Sequence, residues 1–182
     1  MKFLDLEIAR ADDLVPREFE KAFGPTTLHL APTLTLAVRG RMDRVDVAGN
    51  RARILDYKTG KAYHKKDDAF DGGEALQLPL YALAAERAFG LSVVSSEYAY
   101  ISGGRYVRFT GAALKNRAGE LTLILETFAA MLRAGEFPQY TGHKKCGWCD
   151  YRPICGNAIE RLAARKIADE RLAPFRAVKE IK

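Results

Sequence analysis

Apolar and polar residues alternate with two different periods along this chain, and the changes of period mark out its elements. Phe3, Leu4, Leu6 and Ile8 recur at helical spacing within residues 1–13 and predict a helix packed on the core. Pro16 to Gly24 suits a short strand or a short helix, with Glu20 at its centre. Leu28 to Ala31 and Leu34 to Val38 alternate and predict strands, with Gly40 a candidate bulge. Apolar and β-branched residues then run up to and beyond Gly49-Asn50, a two-residue turn signal, so this stretch predicts a β-hairpin. Glu74 to Phe89 reads as a helix with Leu76, Leu80, Leu83 and Ala84 as its apolar stripe, ended by Gly90 in a left-handed cap. Ser95 to Ile101 and Tyr106 to Phe109, joined through Gly103-Gly104, form a second strand pair. From Ala112 to Ala134 one long helix is predicted, because Leu121, Ile124, Leu125, Phe128 and Leu132 repeat at three and four; Gly135 and Pro138 stop it. The order of strands, helix, strands, helix implies an α/β fold, a mixed central β-sheet flanked by helices.

The hairpin converts spacing into geometry. If Ala48 faces Arg51 across the two-residue loop, opposed residue numbers sum to 99, and Asp43 stands across from Asp56. Directly opposed residues place their Cβ atoms roughly 5 Å apart. Lys58, two beyond Asp56, points to the same face. Two carboxylates side by side repel, so a sheet gains nothing from them alone. A hard divalent cation compensates such a pair, since Mg²⁺ takes carboxylate oxygens while keeping several waters. The lysine adds a point charge able to orient water and stabilise charge on a phosphate. Solvated hairpin charges with an Asp-Lys pair would account for the same three residues.

Composition changes the picture modestly. With 182 residues and 48% hydrophobic content the chain can bury one sizeable core. Within that single domain, residues 1–140 read as the core, 141–160 as a cysteine-rich segment packed on it, and 161–182 as a basic helical tail. Net charge of +6 favours a polyanion such as nucleic acid. Part of that excess lies in the tail, at Arg161, Arg165, Lys166, Arg171, Arg176, Lys179 and Lys182, most simply a solvated helix surface. Between Lys61 and Gly73 a polar loop leads out of the hairpin with His64, Lys65 and Lys66, which could touch phosphate or simply be solvated. Gln77 and Tyr81, four apart on a helix, share a face beside the apolar stripe. Tyr98, Tyr100 and Tyr106 suit strand packing and offer rings on which bases could stack.

The three cysteines of the chain, Cys146, Cys149 and Cys155, fall in one C-x2-C-x5-C cluster. No secretory signal or membrane span is visible, which points to the reducing cytoplasm, where clustered thiols hold metal rather than disulfides. His143, three residues before Cys146, offers a fourth ligand for a zinc site.

Taken together, G-x-x-D-R-x-D at Gly40 to Asp46, D-Y-K-T-G at Asp56 to Gly60, Q-x-x-x-Y at Gln77 to Tyr81 and the cysteine triplet resemble the RecB-like branch of the PD-(D/E)XK nuclease superfamily, including the AddB-type nuclease domain. The likeness spans about Glu18 to Gly156. It implies a restriction-endonuclease-like core and a Mg²⁺- or Mn²⁺-dependent deoxyribonuclease, an exonuclease of DNA repair or recombination beside a helicase partner. It further implies that Asp43, Asp56 and the backbone carbonyl of Tyr57 hold metal, that Lys58 is the catalytic lysine, and that Gln77 and Tyr81 lie near the DNA strand. The segment around Glu20 resembles one in which an acidic residue precedes the sheet and helps order the site. In the family, the cysteine triplet joins one upstream cysteine around a [4Fe-4S] cluster, and a metal-binding histidine sits on a helix before the sheet.

Here the pattern departs. No cysteine precedes Cys146, and His29 lies too close to the strands to replace the histidine. The chain therefore reads as lacking the family's N-terminal helical segment. The alternative class that follows is a catalytically incomplete DNA-binding or structural module on the same fold, with a zinc or iron-sulfur site.

Overall fold

The computed structural model describes residues 2–60, 66–140 and 146–182. Its centre is a five-stranded sheet in sequence order: β1 (Val15–Ala31), β2 (Leu34–Ala48), β3 (Arg51–Lys58), β4 (Ser92–Tyr100) and β5 (Arg105–Thr110). Neighbours pair antiparallel except β3 and β4, which run parallel. A parallel pair needs a crossover, supplied here by α2 (Gln77–Phe89). The expected mixed sheet flanked by helices is what forms.

Around Gly49-Asn50 the hairpin has the expected register, from Ala48 opposite Arg51 to Arg44 opposite Leu55. The first strand is far longer than the alternation predicts, while the second runs from Leu34 through the expected hairpin strand to Ala48. Pro16 to Gly24 belongs to β1, whose pairing with β2 is interrupted rather than ended. Phe23 faces Gly40 and Thr26 faces Val38, so Gly24 and Pro25 together oppose Arg39 alone. The bulge thus lies in β1 and not at Gly40. Gly24 has φ +90, and a Cβ there would lie 2.3 Å from the Val38 carbonyl oxygen, so only glycine fits. Proline is tolerated because β1 is an edge strand with no ladder bond required of it there.

The α2 helix begins at Gln77, three residues later than predicted. Pro79 explains this. It sits in the first turn, where its missing N–H is not needed; a helix started at Glu74 would place it where a backbone bond is required, at a cost of about 3 kcal/mol. The buried residues are Leu78, Pro79, Ala82, Ala84 and Ala85, so of the expected stripe Ala84 is buried while Leu76, Leu80 and Leu83 are only half-buried at its margin. Gly90 closes the helix in the left-handed region as predicted, its N–H donating to Glu86.

The long helix predicted from Ala112 is two helices, α3 (Gly111–Asn116) and α4 (Ala118–Ala134). Arg117 breaks the run, with φ −111 and ψ 16. Its guanidinium is drawn to the backbone carbonyls of Asp68 and Lys182 and to Glu120, which no local pattern announces. On the sheet face that carries α2, Ile54, Met42, Phe70, Phe109 and Ile124 are fully or almost fully buried.

Beyond the short α5 (Arg152–Cys155) come α6 (Ile159–Ile167) and α7 (Ala173–Glu180). Phe175 and Val178 turn α7 inward, and its end grips the turn at residues 71–73, where the Gly72 N–H donates to Ile181 and Lys179 Nζ to the Gly72 carbonyl. Arg161, Arg165, Lys166 and Arg171 are solvated as expected, whereas Lys179 is engaged and covers the rings of Tyr140 and Phe175. On the opposite sheet face lies α1 (Lys2–Ile8), shorter than the predicted helix.

Candidate active site

Alternation along β2 and β3 sends neighbouring residues to opposite faces, and the charged groups of the hairpin divide accordingly. Toward α2 point Asp56 and Lys58. Asp43 stands one step past the last paired position and accepts the Tyr57 backbone N–H at 2.7 Å through Oδ2. Asp56 is buried, and its Oδ1 accepts from Gln77 Nε2 at 2.9 Å. Its Oδ2 is shielded from water and receives no aligned hydrogen bond, meeting only the close ammonium of Lys58. A buried carboxylate oxygen in that condition has a vacant acceptor direction.

The first turn of α2 completes the group. Gln77 Nε2 donates to both Asp56 and the Tyr81 hydroxyl (3.0 Å), while its Oε1 accepts from Lys58 Nζ at 3.4 Å. The Tyr81 hydroxyl in turn donates to the Arg41 carbonyl at 3.0 Å. Both amide hydrogens are used, so the orientation of Gln77 follows from its partners. Gly40 permits this arrangement: a Cβ there would lie 2.9 Å from the Phe23 ring, which packs edge-on against Tyr81 at 5.8 Å between centroids. Lys58 Nζ also lies 4.9 Å from the centre of the Tyr98 ring. Burial, with the Asp56 carboxylate as a further cause, pushes the Tyr98 phenol well above its ordinary range and keeps it neutral.

The five side chains Asp43, Asp56, Lys58, Gln77 and Tyr81 are therefore brought to one end of the sheet. Other expected participants are not. Glu20 is exposed and reaches only Arg41, at 3.5 Å. His29 is paired within the β1–β2 hairpin, its Nδ1 3.3 Å from Thr35 Oγ1. Tyr106 faces away from the site, with its hydroxyl on Glu7 and Arg10 stacked on its ring at 3.9 Å. His64, Lys65 and His143 lie outside the described residues.

On the other face the same hairpin builds an ion network that the spacing argument overlooked. Asp46, fully buried, accepts four hydrogen bonds: from Arg44 Nε (2.5 Å) and Nη2 (2.9 Å) and from Arg53 Nε (3.1 Å) and Nη2 (2.8 Å). Arg44 continues to Glu7 of α1 and to the Tyr57 hydroxyl at 3.3 Å, and Arg53 to Asp12 at 2.5 Å. The signal was present, since 46 and 53 also sum to 99 and carry opposite charges. Although burial acts to raise the Glu7 pKa, its hydrogen bonds from Tyr106 and Arg44 outweigh this and lower it.

Among the described residues, no three His, Cys, Asp or Glu side chains converge on a common point. For a hard divalent cation this is no obstacle, because Mg²⁺ is commonly held by one or two carboxylates and keeps waters. Two carboxylates, one with an undonated buried oxygen, fit it. A [4Fe-4S] cluster fits poorly, since the three cysteines fall one short of four thiolates and do not converge; Cys149 is exposed and Cys155 Sγ meets Gln139 Nε2 at 3.9 Å.

No described helix is long and apolar enough to cross a membrane. No curated protein matches the chain. The family model of the PD-(D/E)XK nuclease superfamily, whose members are typically metal-dependent nucleases, matches residues 2–156. With the mixed sheet and its acidic end in place, this chain belongs to the PD-(D/E)XK nuclease superfamily and has its restriction-endonuclease-like fold.

Proposed function

We infer that this chain hydrolyses DNA phosphodiesters with Mg²⁺ or Mn²⁺, as an exonuclease of the RecB/AddB type serving repair or recombination in the cytoplasm beside a helicase. The observation that carries the reading is the state of Asp56, a buried carboxylate with one oxygen lacking an aligned donor, flanked by Lys58 and Gln77. The subtype rests on G-x-x-D-R-x-D, D-Y-K-T-G and Q-x-x-x-Y occurring in that order.

In this reading Asp43, Asp56 and the Tyr57 carbonyl would hold the cation. A bound Mg²⁺ or Mn²⁺ lowers the pKa of a coordinated water and neutralises charge on the phosphate. The protein's own groups do the rest. Lys58 carries its proton on Nζ, orients the attacking water, and donates to a phosphate oxygen as charge develops there. Gln77 fixes Asp56 and Lys58 relative to each other, and Tyr81 fixes Gln77 to the β2 backbone. Holding the groups in place before the substrate arrives is itself worth several kcal/mol of barrier, on the order of the 7–11 kcal/mol available to oriented reactants.

The test is incubation of end-labelled single- and double-stranded DNA with Mg²⁺ or Mn²⁺, with Lys58→Ala alongside. Metal-dependent products that disappear in the variant are expected. Equal cleavage by Lys58→Ala would remove the reading. The inert-module alternative draws on the two-carboxylate count at the site, and it expects salt-sensitive DNA binding with no product in any divalent metal. For the cysteine segment, we infer a metal-binding role for Cys146, Cys149 and Cys155, with zinc favoured over the poorly fitting iron-sulfur cluster; elemental analysis for iron, sulfide and zinc decides it.

A further inference from the structure

The same sheet face that holds Asp56 and Lys58 continues past Tyr98 into a cavity of about 300 Å³ that the catalytic reading leaves unused. Its floor is Tyr98, Val107 and Phe109 of the sheet, and its sides are Leu78 of α2, Ala69 and Tyr140. Tyr98 belongs to both places: its ring lies beneath the Lys58 ammonium and also walls the cavity. Leu78 likewise follows Gln77 directly in the chain. The cavity therefore begins one side chain away from the groups proposed to handle the scissile phosphate.

Size and lining restrict the occupant. About 300 Å³ lies at the lower end of small-molecule sites and is enough for a base with its sugar. Aromatic and aliphatic walls suit the flat faces of a base. The rim bears Lys66 and Lys182, yet also Asp71, Glu74 and Glu180, and Lys179 is already committed to Gly72 and Glu74. Such a mixed rim tolerates one backbone phosphate and disfavours a polyphosphate. A base inside a duplex is covered above and below and paired at its edge, so it cannot enter; an unpaired base can.

Resting on the nuclease reading above, we propose that this cavity is a nucleotide subsite, which seats the unpaired base next to the scissile phosphate and makes single-stranded DNA the preferred substrate. Stacking against aromatic walls accepts any base, so the subsite selects strandedness and not sequence. The Phe70 and Gly72 contacts with residues 181 and 182 hold its outer wall closed, which ties the seat to the C-terminal helix.

The experiment uses the full chain in EDTA, where no cleavage occurs, with oligo(dT) carrying a single 2-aminopurine at successive positions. One position is expected to change its fluorescence on binding while its neighbours respond little. Ala69→Trp, which fills the cavity, should remove that response and weaken single-strand binding about tenfold, with duplex affinity and Mn²⁺ affinity by calorimetry unchanged. Tyr140→Ala, at a half-buried position, provides a second variant whose thermal unfolding checks the fold, and should weaken single-strand binding several-fold. Uniform 2-aminopurine responses, or single-strand binding by both folded variants equal to the parent's, would overturn the subsite. Metal-dependent, Lys58-dependent cleavage persisting in that case would leave the nuclease reading standing, whereas its absence from the parent chain would remove the basis of both.

Discussion

The two faces of the β2–β3 hairpin carry similar charges to opposite ends. Behind the sheet, Asp46 is saturated by two arginines, and those arginines pass on to Glu7 and Asp12, so every charge is matched. In front, three residues along each strand from Asp46 and Arg53, Asp43 accepts the Tyr57 backbone N–H, Asp56 meets Lys58 and Gln77, and one buried oxygen of Asp56 has no aligned donor. Alternation along β3 puts Asp56 on the other sheet face from Arg53, and so from Asp46, which pairs with Arg53. A carboxylate whose hydrogen-bonding capacity is exhausted is part of the scaffold. One left short of donors is available to a cation and a substrate. The back face also braces the front: Tyr57 donates its N–H to Asp43 while its hydroxyl and ring are held from behind by Arg44 and Phe3.

The comparison breaks most visibly if the two aspartates are truncated in turn. Asp46→Ala leaves two buried guanidinium groups without their shared partner, and a cost of about 3–5 kcal/mol in chemical denaturation is expected. Asp56→Ala should cost less than about 2 kcal/mol, because Gln77 and Lys58 remain half-exposed to solvent. Its effect on Mg²⁺-dependent cleavage should be the larger one, exceeding the roughly 10–100-fold attached to an outer partner of a metal site. Reversed outcomes, with Asp46 indifferent to stability or Asp56 indifferent to activity, would dissolve the distinction between the faces.

Acid offers a finer probe of the back face. Glu7 has a folded pKa below its ordinary 4.5, because hydrogen bonds from Tyr106 and Arg44 outweigh the opposing effect of burial. Asp12 is likewise lowered from 3.8, where the Arg53 hydrogen bond outweighs burial. A depressed carboxylate pKa contributes stability that is complete above the unfolded value and is lost as pH falls through the folded one. Melting temperature should therefore decline below about pH 4.5 as α1 loosens from the sheet. Glu7→Gln is expected to be less stable at neutral pH and to show a shallower decline; an unchanged slope would show that α1 is not held by this pair.

Much of this was legible in the chain, and the exceptions have physical causes. Gly49-Asn50 set the register from Ala48 opposite Arg51 to Arg44 opposite Leu55, which ends one step short of the expected facing of Asp43 and Asp56. The same arithmetic places Asp46 opposite Arg53, so the back-face network was readable from attraction as the front was from repulsion. The full length of β1 was not readable. Much of β1 is exposed, so no buried face enforces alternation, and Gly24-Pro25 looks like an end although pairing resumes beyond it. Nor was the break at Arg117, since the carbonyls that draw its side chain away belong to residues 49 and 65 positions distant. Gln77 was placed beside an apolar stripe, but only the fold reveals that Pro79 starts the helix late enough to put the amide in the first turn, against Asp56.

The smallest expected effect tests how far the front face depends on fixed geometry. Tyr81→Phe keeps the ring on Phe23 and removes only the hydroxyl that accepts from Gln77 and donates to the Arg41 carbonyl. A stability loss of about 0.5–1.5 kcal/mol is expected from the missing hydrogen bonds. Gln77 still has Asp56 and Lys58 as partners, so the amide is loosened rather than lost. Cleavage should fall several-fold through kcat, with KM for single-stranded DNA nearly unchanged, because the hydroxyl contacts the positioning amide and not the base seat. A larger rise in KM than fall in kcat would mean that Tyr81 meets the DNA strand directly, and the front face would then be a binding surface that reaches as far as β2, not a preset cluster anchored to it.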